Sequence, residues 1–271
     1  MIHLGPGRED SCGGSRQMLL CGLLAAFISS GVAADTLKLR ADYWCPYNCD
    51  PTSEKPGVLI EIAQKALEGT PHQLDYQLLN WSRAKLEAEM TQAHGLVGMG
   101  WDEELAQKYQ FTLPLMDESP WCFYVKAREN WRYTGLSSLT GVMLGVVNGY
   151  GYTPEMDEFL SVPANRPYVV SLSGDRPIKN LLTMLMLSRI QVLLDERNVV
   201  RYEASEKGLN LKEAGCLNDD SENNQATKVY ITFSRDDAGG ARWIRRINRK
   251  LEALQQNGEY AGLLKRYGLS P

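Results

Sequence analysis

The chain has 271 residues, 44% of them hydrophobic and 23% charged, with a formal net charge of −4. That length gives one large domain or two small ones, each with a sizeable core. The charge balance excludes broad nucleic-acid binding, which needs a basic excess.

The first 34 residues read as an export signal. Met18–Ile28 is an apolar run preceded by Arg16 and followed by Ser29-Ser30-Gly31-Val32-Ala33-Ala34, with small residues where a signal peptidase cuts, after Ala33 or Ala34. The run is short of the ~20 apolar residues that cross a bilayer. A periplasmic location is therefore expected. Cys21 follows Leu20, not Gly or Ala, so no lipid anchor is expected.

Removing that segment takes away Cys12 and Cys21 and leaves Cys45, Cys49, Cys122 and Cys216. In an exported chain this even number suggests two disulfides, with three pairings possible. Cys45 and Cys49 flank Pro46-Tyr47-Asn48, so a local loop is the simplest first bridge; it would leave Cys122 with Cys216. No histidine lies beside them, and neither a metal nor a cofactor is expected. His72 and His94 read as surface or loop residues.

Along the remaining chain, alternation at Leu37, Leu39 and Ala41 predicts a strand over 36–42. A turn-rich loop follows from Trp44. Pro56-Gly57 opens a helix with Val58, Leu59, Ile62, Ala63, Ala66 and Leu67 on one face, stopped by Gly69. Leu74, Tyr76 and Leu78 give a second strand. Ser82 is placed to cap a helix running to about Gln92. Leu96–Gly100 reads as a short buried strand, followed by an acidic helical turn at Asp102-Glu103-Glu104. Trp121–Lys126 is a further strand. A second series follows: strand 142–147, helix 153–160, strand 167–171, helix 177–188, strand 190–194 and helix 196–207. Lys228–Phe233 is a returning strand, and helices at 240–256 and 259–266 close the chain.

This order predicts an α/β fold of two units, each a mostly parallel sheet with right-handed crossovers flanked by helices. Ligands of such sheets sit at the C-terminal strand ends. The loops at 44–50, at 100–104, after 147 and after 194 are the candidate site.

Several segments, in order, resemble the family 3 extracellular solute-binding proteins of ABC transporters, a group that contains polar amino-acid binders. They are Trp44-x-Pro46-Tyr47, Gly57-Val-Leu-Ile-Glu61-Ile, Trp81-Ser-Arg83-Ala, Gly98-Met99-Gly100 and Phe111-Thr112-x-Pro114-Leu115. Leu139-x-Gly141 through Gly145-Val-Val-x-Gly149-Tyr150, Val192-Leu-Leu-Asp195, Tyr230–Ser234 and Asn257-Gly258-Glu259-Tyr260 to Tyr267-Gly268 continue the series. The resemblance spans roughly 36–268. It implies a type II periplasmic-binding-protein-like fold with lobe 1 at 35–121 plus 231–271 and lobe 2 at 126–226. Two crossover hinge strands near 121–126 and 227–232 would let the lobes close on a ligand.

The resemblance also directs attention to a ligand site at Trp44, Tyr47, Trp81, Arg83, Gly100, Trp101, Asp102, Tyr150, Tyr152 and Asp195. Asp195 matches the acid that takes a ligand ammonium, but Leu105 stands where amino-acid binders carry an arginine for the carboxylate. Arg83 is the candidate replacement cation, or a surface residue paired with Glu87 at i+4. Trp44 and Tyr47 would stack on a ligand body, or pack on the Cys45–Cys49 loop. Trp101 and Asp102 would narrow the cleft. Gly149-Tyr150-Gly151-Tyr152 offers backbone N–H groups suited to an anion. Asp195 faces the cleft or caps the next helix. Arg242, Arg245, Arg246, Arg249 and Lys250 form a basic helix face, read as solvated or as a docking patch.

The expected function is capture of a small polar, amino-acid-like solute for uptake by a monomeric protein that delivers it to a membrane permease. A sensory role, with a receptor as partner, differs only in that partner. An enzyme resembling the periplasmic dehydratases of this fold would need an acid or base from among Asp102, Glu118, Asp195 and Glu196.

Overall fold

The computed structural model describes residues 34–217, 225 and 227–270. Apart from Ala34, the expected export signal lies outside these residues. The first part of the chain alternates β1 (Thr36–Ala41), α1 (Val58–Leu67), β2 (Gln73–Leu78), α2 (Trp81–Glu89) and β3 (Gly95–Met99). It then forms α3 (Glu103–Lys108), β4 (Tyr109–Phe111) and β5 (Met116–Asp117). The second part comprises β6 (Trp121–Lys126), β7 (Leu144–Val147), α4 (Pro154–Ser161), β8 (Val169–Leu172) and α5 (Pro177–Met186). After it come β9 (Val192–Glu196), α6 (Arg197–Glu206) and β10 (Leu211–Cys216). The chain returns through β11 (Lys228–Ser234) and ends in α7 (Gly240–Gln256) and α8 (Glu259–Arg266).

These strands make two sheets. The first runs β2-β1-β3-β11-β4, with β5 also on β11; the second runs β10-β6-β9-β7-β8. Each has a parallel centre: β1 lies between β2 and β3, and β7 lies between β8 and β9. The strands that bring the chain into each sheet pair antiparallel to that centre, β11 with β3 and β6 with β9. Both sheets are therefore mixed. The segments 118–120 and 217–227 carry the chain between them, because β6 pairs wholly within the second sheet and β11 wholly within the first.

Burial explains the layering. Leu37, Leu39 and Ala41 of β1 have no exposed surface, and α1 buries Val58, Leu59, Ile60, Ile62 and Ala63 against them. The long helix α7 lays Trp243, Ile247, Leu251 and Leu254 on the same core. In the second sheet Val192, Leu193 and Leu194 of β9 are fully buried, as expected of a central strand covered on both faces.

The structure departs from the sequence expectations at several points. Asn80, not Ser82, caps α2, its side chain accepting from the Arg83 N–H at 3.0 Å. Asn and Ser cap about equally well, and Asn80 is the one in the extended position just before the helix, with Ser82 already inside it. That helix stops at Glu89, and Thr91 beyond it takes a left-handed φ of 53°. Pro163–Tyr168 forms a 3-10 turn, which delays β8 to Val169. His72 and His94 do lie in loops, as expected, but they are engaged groups and not free ones. Each accepts a backbone N–H, from Asp35 and Lys38, and each ring meets the edge or face of Trp243.

Strand β10 was not foreseen. Its sequence, Leu-Lys-Glu-Ala-Gly-Cys, has weak alternation, and it is an edge strand. It is fixed to β6 by the Cys122–Cys216 disulfide, while the Arg197–Glu213 pair holds its outer face at 2.8 Å. The second disulfide joins Cys45 and Cys49.

Closing a 94-residue separation, the Cys122–Cys216 bond restricts the unfolded chain far more than the local one does. Replacing both cysteines by serine is expected to cost about 2–5 kcal/mol, read as a lower urea midpoint. A midpoint equal to wild type would contradict the assigned role.

Candidate functional site

The segment after β1 is the most constrained loop in the protein. Trp44 and Asn48 exchange backbone hydrogen bonds of 2.8 and 2.9 Å, and the Cys45–Cys49 bond closes the same turn. Asn48 is fully buried and donates to the Val97 carbonyl at 3.1 Å, tying the loop to β3. The Tyr76 hydroxyl donates to the Cys49 carbonyl at 3.0 Å, tying it to β2. Gly57, where α1 begins, has φ 112°, and a Cβ there would lie 2.1 Å from the Tyr47 carbonyl oxygen. Only glycine permits that approach.

From this base the loop reaches the second sheet. The Tyr47 hydroxyl donates to Glu196 Oε1 at 2.6 Å and accepts from Asn198 Nδ2 at 2.9 Å. Trp44 meets Tyr47 at a tilt with ring centroids 4.4 Å apart and stacks on Trp121 at 6.4 Å, and Trp121 meets Tyr150 and Tyr152 edge to face. The Tyr150 hydroxyl donates to Asp42 Oδ2, and the Lys85 ammonium of α2 donates to the Gly149 carbonyl at 3.1 Å. At the rim, the Arg176 guanidinium lies 4.4 Å over the Tyr43 ring and 3.6 Å from Asp50.

Strand order brings these groups together. Antiparallel pairing sets Trp121 opposite Glu196 and Cys122 opposite Asp195, so the start of β6 lies level with the C-terminal end of β9. Tyr150 and Tyr152 follow β7, and Asp42 follows β1. All therefore gather where parallel strands end, the region that binds ligands in open α/β sheets.

The electrostatics are dominated by buried acids. Burial pushes the Asp42 carboxyl up to about 6, partly opposed by the Tyr150 hydrogen bond and the nearby Lys85 charge. Asp195 has no exposed surface, and burial holds its carboxyl well above the usual range; the Glu196 and Asp42 charges push it the same way. Its Oδ1 accepts the Glu196 N–H at 2.8 Å, while Oδ2 makes no hydrogen bond to protein. The Trp44 indole N–H is near enough to favour the Asp195 anion, yet it too makes no bond of good geometry. Glu196 is buried but satisfied: Ser119 N–H and Oγ and the Tyr47 hydroxyl donate to Oε1, and the Val199 N–H donates to Oε2.

Of the residues singled out from the sequence, Trp44, Tyr47, Tyr150, Tyr152 and Asp195 join this network. Trp81 sits beside it, half-buried near Gly149. Asp195 is not a helix cap; Glu196 caps α6 instead, which leaves the Asp195 carboxylate unengaged on one side. Arg83 points elsewhere, to Glu87 at 3.3 Å on the exposed face of α2. Asp102 is exposed and caps α3 by accepting the Leu105 N–H, and Gly100 and Trp101 are half-buried outside the network. Of the backbone N–H groups expected to greet an anion, that of Tyr152 donates to Asp157 and that of Tyr150 to the Val147 carbonyl. Arg242, Arg245, Arg246, Arg249 and Lys250, with Lys65, line an open groove of about 360 Å³ between α1 and α7.

Sequence reading missed Asp42, Lys85, Trp121 and Asn198. Asp42 ends the first strand, two residues before the loop that was singled out, and strand-end placement alone would have flagged it. Lys85 follows Ser82 by three residues, on the side of α2 that meets Gly149; a Cβ on Gly149 would lie 2.8 Å from Ser82 Oγ. No sequence signal announces that approach.

No protein-family model matches the sequence, and no curated protein sequence matches it. Solved structures do match. One comes from work on glutathione import through GshT and the cystine ABC importer TcyBC of Streptococcus mutans. It is 20% identical, with 88% of this chain and 97% of that chain covered and a TM-score of 0.72. A histidine kinase sensor domain with similarity to periplasmic binding proteins is 18% identical, with 87% and 98% covered and a TM-score of 0.70. The amino-acid ABC transporter substrate-binding protein AbpA from Streptococcus pneumoniae, bound to L-arginine, is 16% identical, with 86% and 94% covered and a TM-score of 0.70. The fold is that of the two-lobed periplasmic binding proteins. The network just described joins the two sheets, with the 42–50 loop on one side and Trp121, Tyr150, Tyr152 and Asp195 on the other.

The Asp42 shift has a definite sign. Its carboxyl titrates near 6 when folded and near 3.8 when exposed, so this group destabilises the fold as pH rises from about 4 to 6, and the cost stays level above. Asp42→Asn removes it. The melting temperature of the variant relative to wild type is expected to climb between pH 4 and 6 and then hold steady. A difference that does not change with pH would rule the shift out.

Proposed function

We propose that this is an exported, periplasmic solute-binding protein that closes its two lobes over a small polar solute and passes it unaltered to the permease of an ABC transporter. One lobe is built on the first sheet and the other on the second sheet from Trp121 onward; the expected hinge strands near 121–126 and 227–232 each pair within a single sheet, so the lobes turn where the chain passes from one sheet to the other. The carrying observation is Asp195. Its Oδ2 is fully buried and unpartnered at the end of a central strand, facing a layer of side chains from the other lobe. A buried carboxylate oxygen without a partner is costly unless a ligand group completes it.

Three further observations support this reading. The contacts described between the lobes are side-chain hydrogen bonds and ring contacts from the 42–50 loop and from Lys85 of α2, which can be remade as the lobes part. The structures of similar fold include substrate-binding proteins of amino-acid ABC transporters, one holding L-arginine. Among the described residues, no helix is long and apolar enough to cross a membrane. The candidate acids for an enzyme are largely engaged, Asp102 and Glu196 as helix caps, which favours binding over catalysis.

A sensory role is favoured by one observation, the likeness to a histidine kinase sensor domain. It changes the partner and leaves the site as it is. The protein acts in either case as a monomer.

A thermal-shift screen of amino acids, amines, peptides and organic acids tests the binding reading. At least one compound is expected to raise the melting temperature by several degrees. Asp195→Ala should abolish that shift with the circular dichroism spectrum retained, and Arg83→Ala, whose guanidinium is held by Glu87, should leave it. Chemical conversion of the bound compound, or a shift indifferent to Asp195→Ala, would overturn the reading.

A further inference from the structure

The walls of the interlobe site carry information about the charge of what enters, given that it is a solute site. We propose that the solute is a small organic cation without a carboxylate, an amine, quaternary ammonium or guanidinium, held by Asp42 and Asp195 among the rings of Trp44, Trp121 and Tyr150.

The charge count carries the inference. Asp42 and Asp195 are buried, at 4% and 0% exposure, on opposite lobes of the same cluster. Among the described residues of the network, the one cation is Lys85, and its ammonium is committed to the Gly149 carbonyl at 3.1 Å. Arg176 at the rim is committed to Asp50 and the Tyr43 ring. Glu196 has donors on both oxygens. With Lys85 set against Asp42, the site retains a second buried acid, Asp195, whose ionisation burial opposes, and an entering monocation favours its ionised form. Buried acids left unpaired are destabilising, and a cation is the partner that relieves them.

The apolar surface agrees with that sign. Trp44, Trp121 and Tyr150 form a contiguous run of rings, with centroids 6.4 and 6.0 Å apart along it. Aromatic faces attract cations and stack on their alkyl portions, and the attraction grows once water is excluded.

The absence of a carboxylate in the solute follows from the donors. A carboxylate is gripped by a guanidinium fork or by several convergent N–H groups. The guanidinium groups near the site are bonded elsewhere, and the Tyr152 N–H is taken by Asp157. Among the described residues of the network, the buried side-chain nitrogen that makes no hydrogen bond is the Trp44 indole N–H, which lies beside Asp195. One neutral donor next to an acid does not hold a second acid.

Matched pairs of probes test this on the intact protein by isothermal titration calorimetry: agmatine against arginine, cadaverine against lysine, and choline against glycine betaine. In at least one pair the carboxylate-free member is expected to bind tenfold or more tightly than its partner. Asp42→Asn and Asp195→Asn should each weaken that binding at least tenfold. Arg83→Ala, on the exposed face of α2 and outside the site, should retain both the affinity and the preference and serves as the control. A carboxylate-bearing member that binds as tightly as its partner overturns the cation assignment. If that binding still requires Asp195, the solute-binding reading survives. Failure of all six probes also overturns the cation assignment, and the wider thermal-shift screen then decides the solute-binding reading separately.

Discussion

The arrangement depends on one rigid turn. The Cys45–Cys49 bond, the paired backbone of Trp44 and Asn48, and the buried Asn48 side chain hold the loop after β1 in a single shape. A flexible loop here would present Trp44 and Tyr47 at the entropic cost of ordering two large side chains with each closure. Fixed to β2, β3 and the start of α1, the loop behaves as part of the first lobe and presents its face ready-made. Gly57 is what allows it to pack so closely, since any side chain there would strike the Tyr47 carbonyl.

What this turn faces is a second set of groups placed by strand order. The entry strand β6 runs antiparallel to β9, so Trp121 lies level with Glu196 and within reach of the residues that follow β7. Two carboxylates, Asp42 and Asp195, are thereby removed from water at the boundary between lobes. Burial opposes their ionisation, and on the proposed reading a bound solute would offset that penalty. Glu196, equally buried, shows the contrast. It is surrounded by donors and acts as structural cement between Tyr47, Ser119 and the start of α6. Two adjacent acids on one strand end thus divide their roles by hydrogen bonding alone.

Much of the fold was legible because its parallel centre obeys simple periodicity. Leu37, Leu39 and Ala41 alternate on β1, and Trp243, Ile247, Leu251 and Leu254 stripe α7. The edge strand β10 and the two-residue β5 were not legible, since their pairing is set by tertiary contacts and by the Cys122–Cys216 bond. The aromatic half of the site was visible as residues at strand ends. Of its charged residues, Asp195 was singled out, and Arg83 makes the i+4 pair with Glu87 that was its alternative reading; Lys85, which donates to Gly149, was not singled out. A shift of two helix positions rotates a side chain by roughly 200°, and sequence spacing does not say which direction meets the partner lobe.

A solute site of this kind requires the lobes to part and close. Spin labels at Leu86, exposed on α2, and Tyr168, exposed beside β8, report the separation of the lobes by pulsed dipolar spectroscopy. A broad, longer distance distribution is predicted for the free protein, collapsing to a shorter, narrow one when a compound that raises the melting temperature is added. Identical distributions with and without that compound would contradict capture by lobe closure.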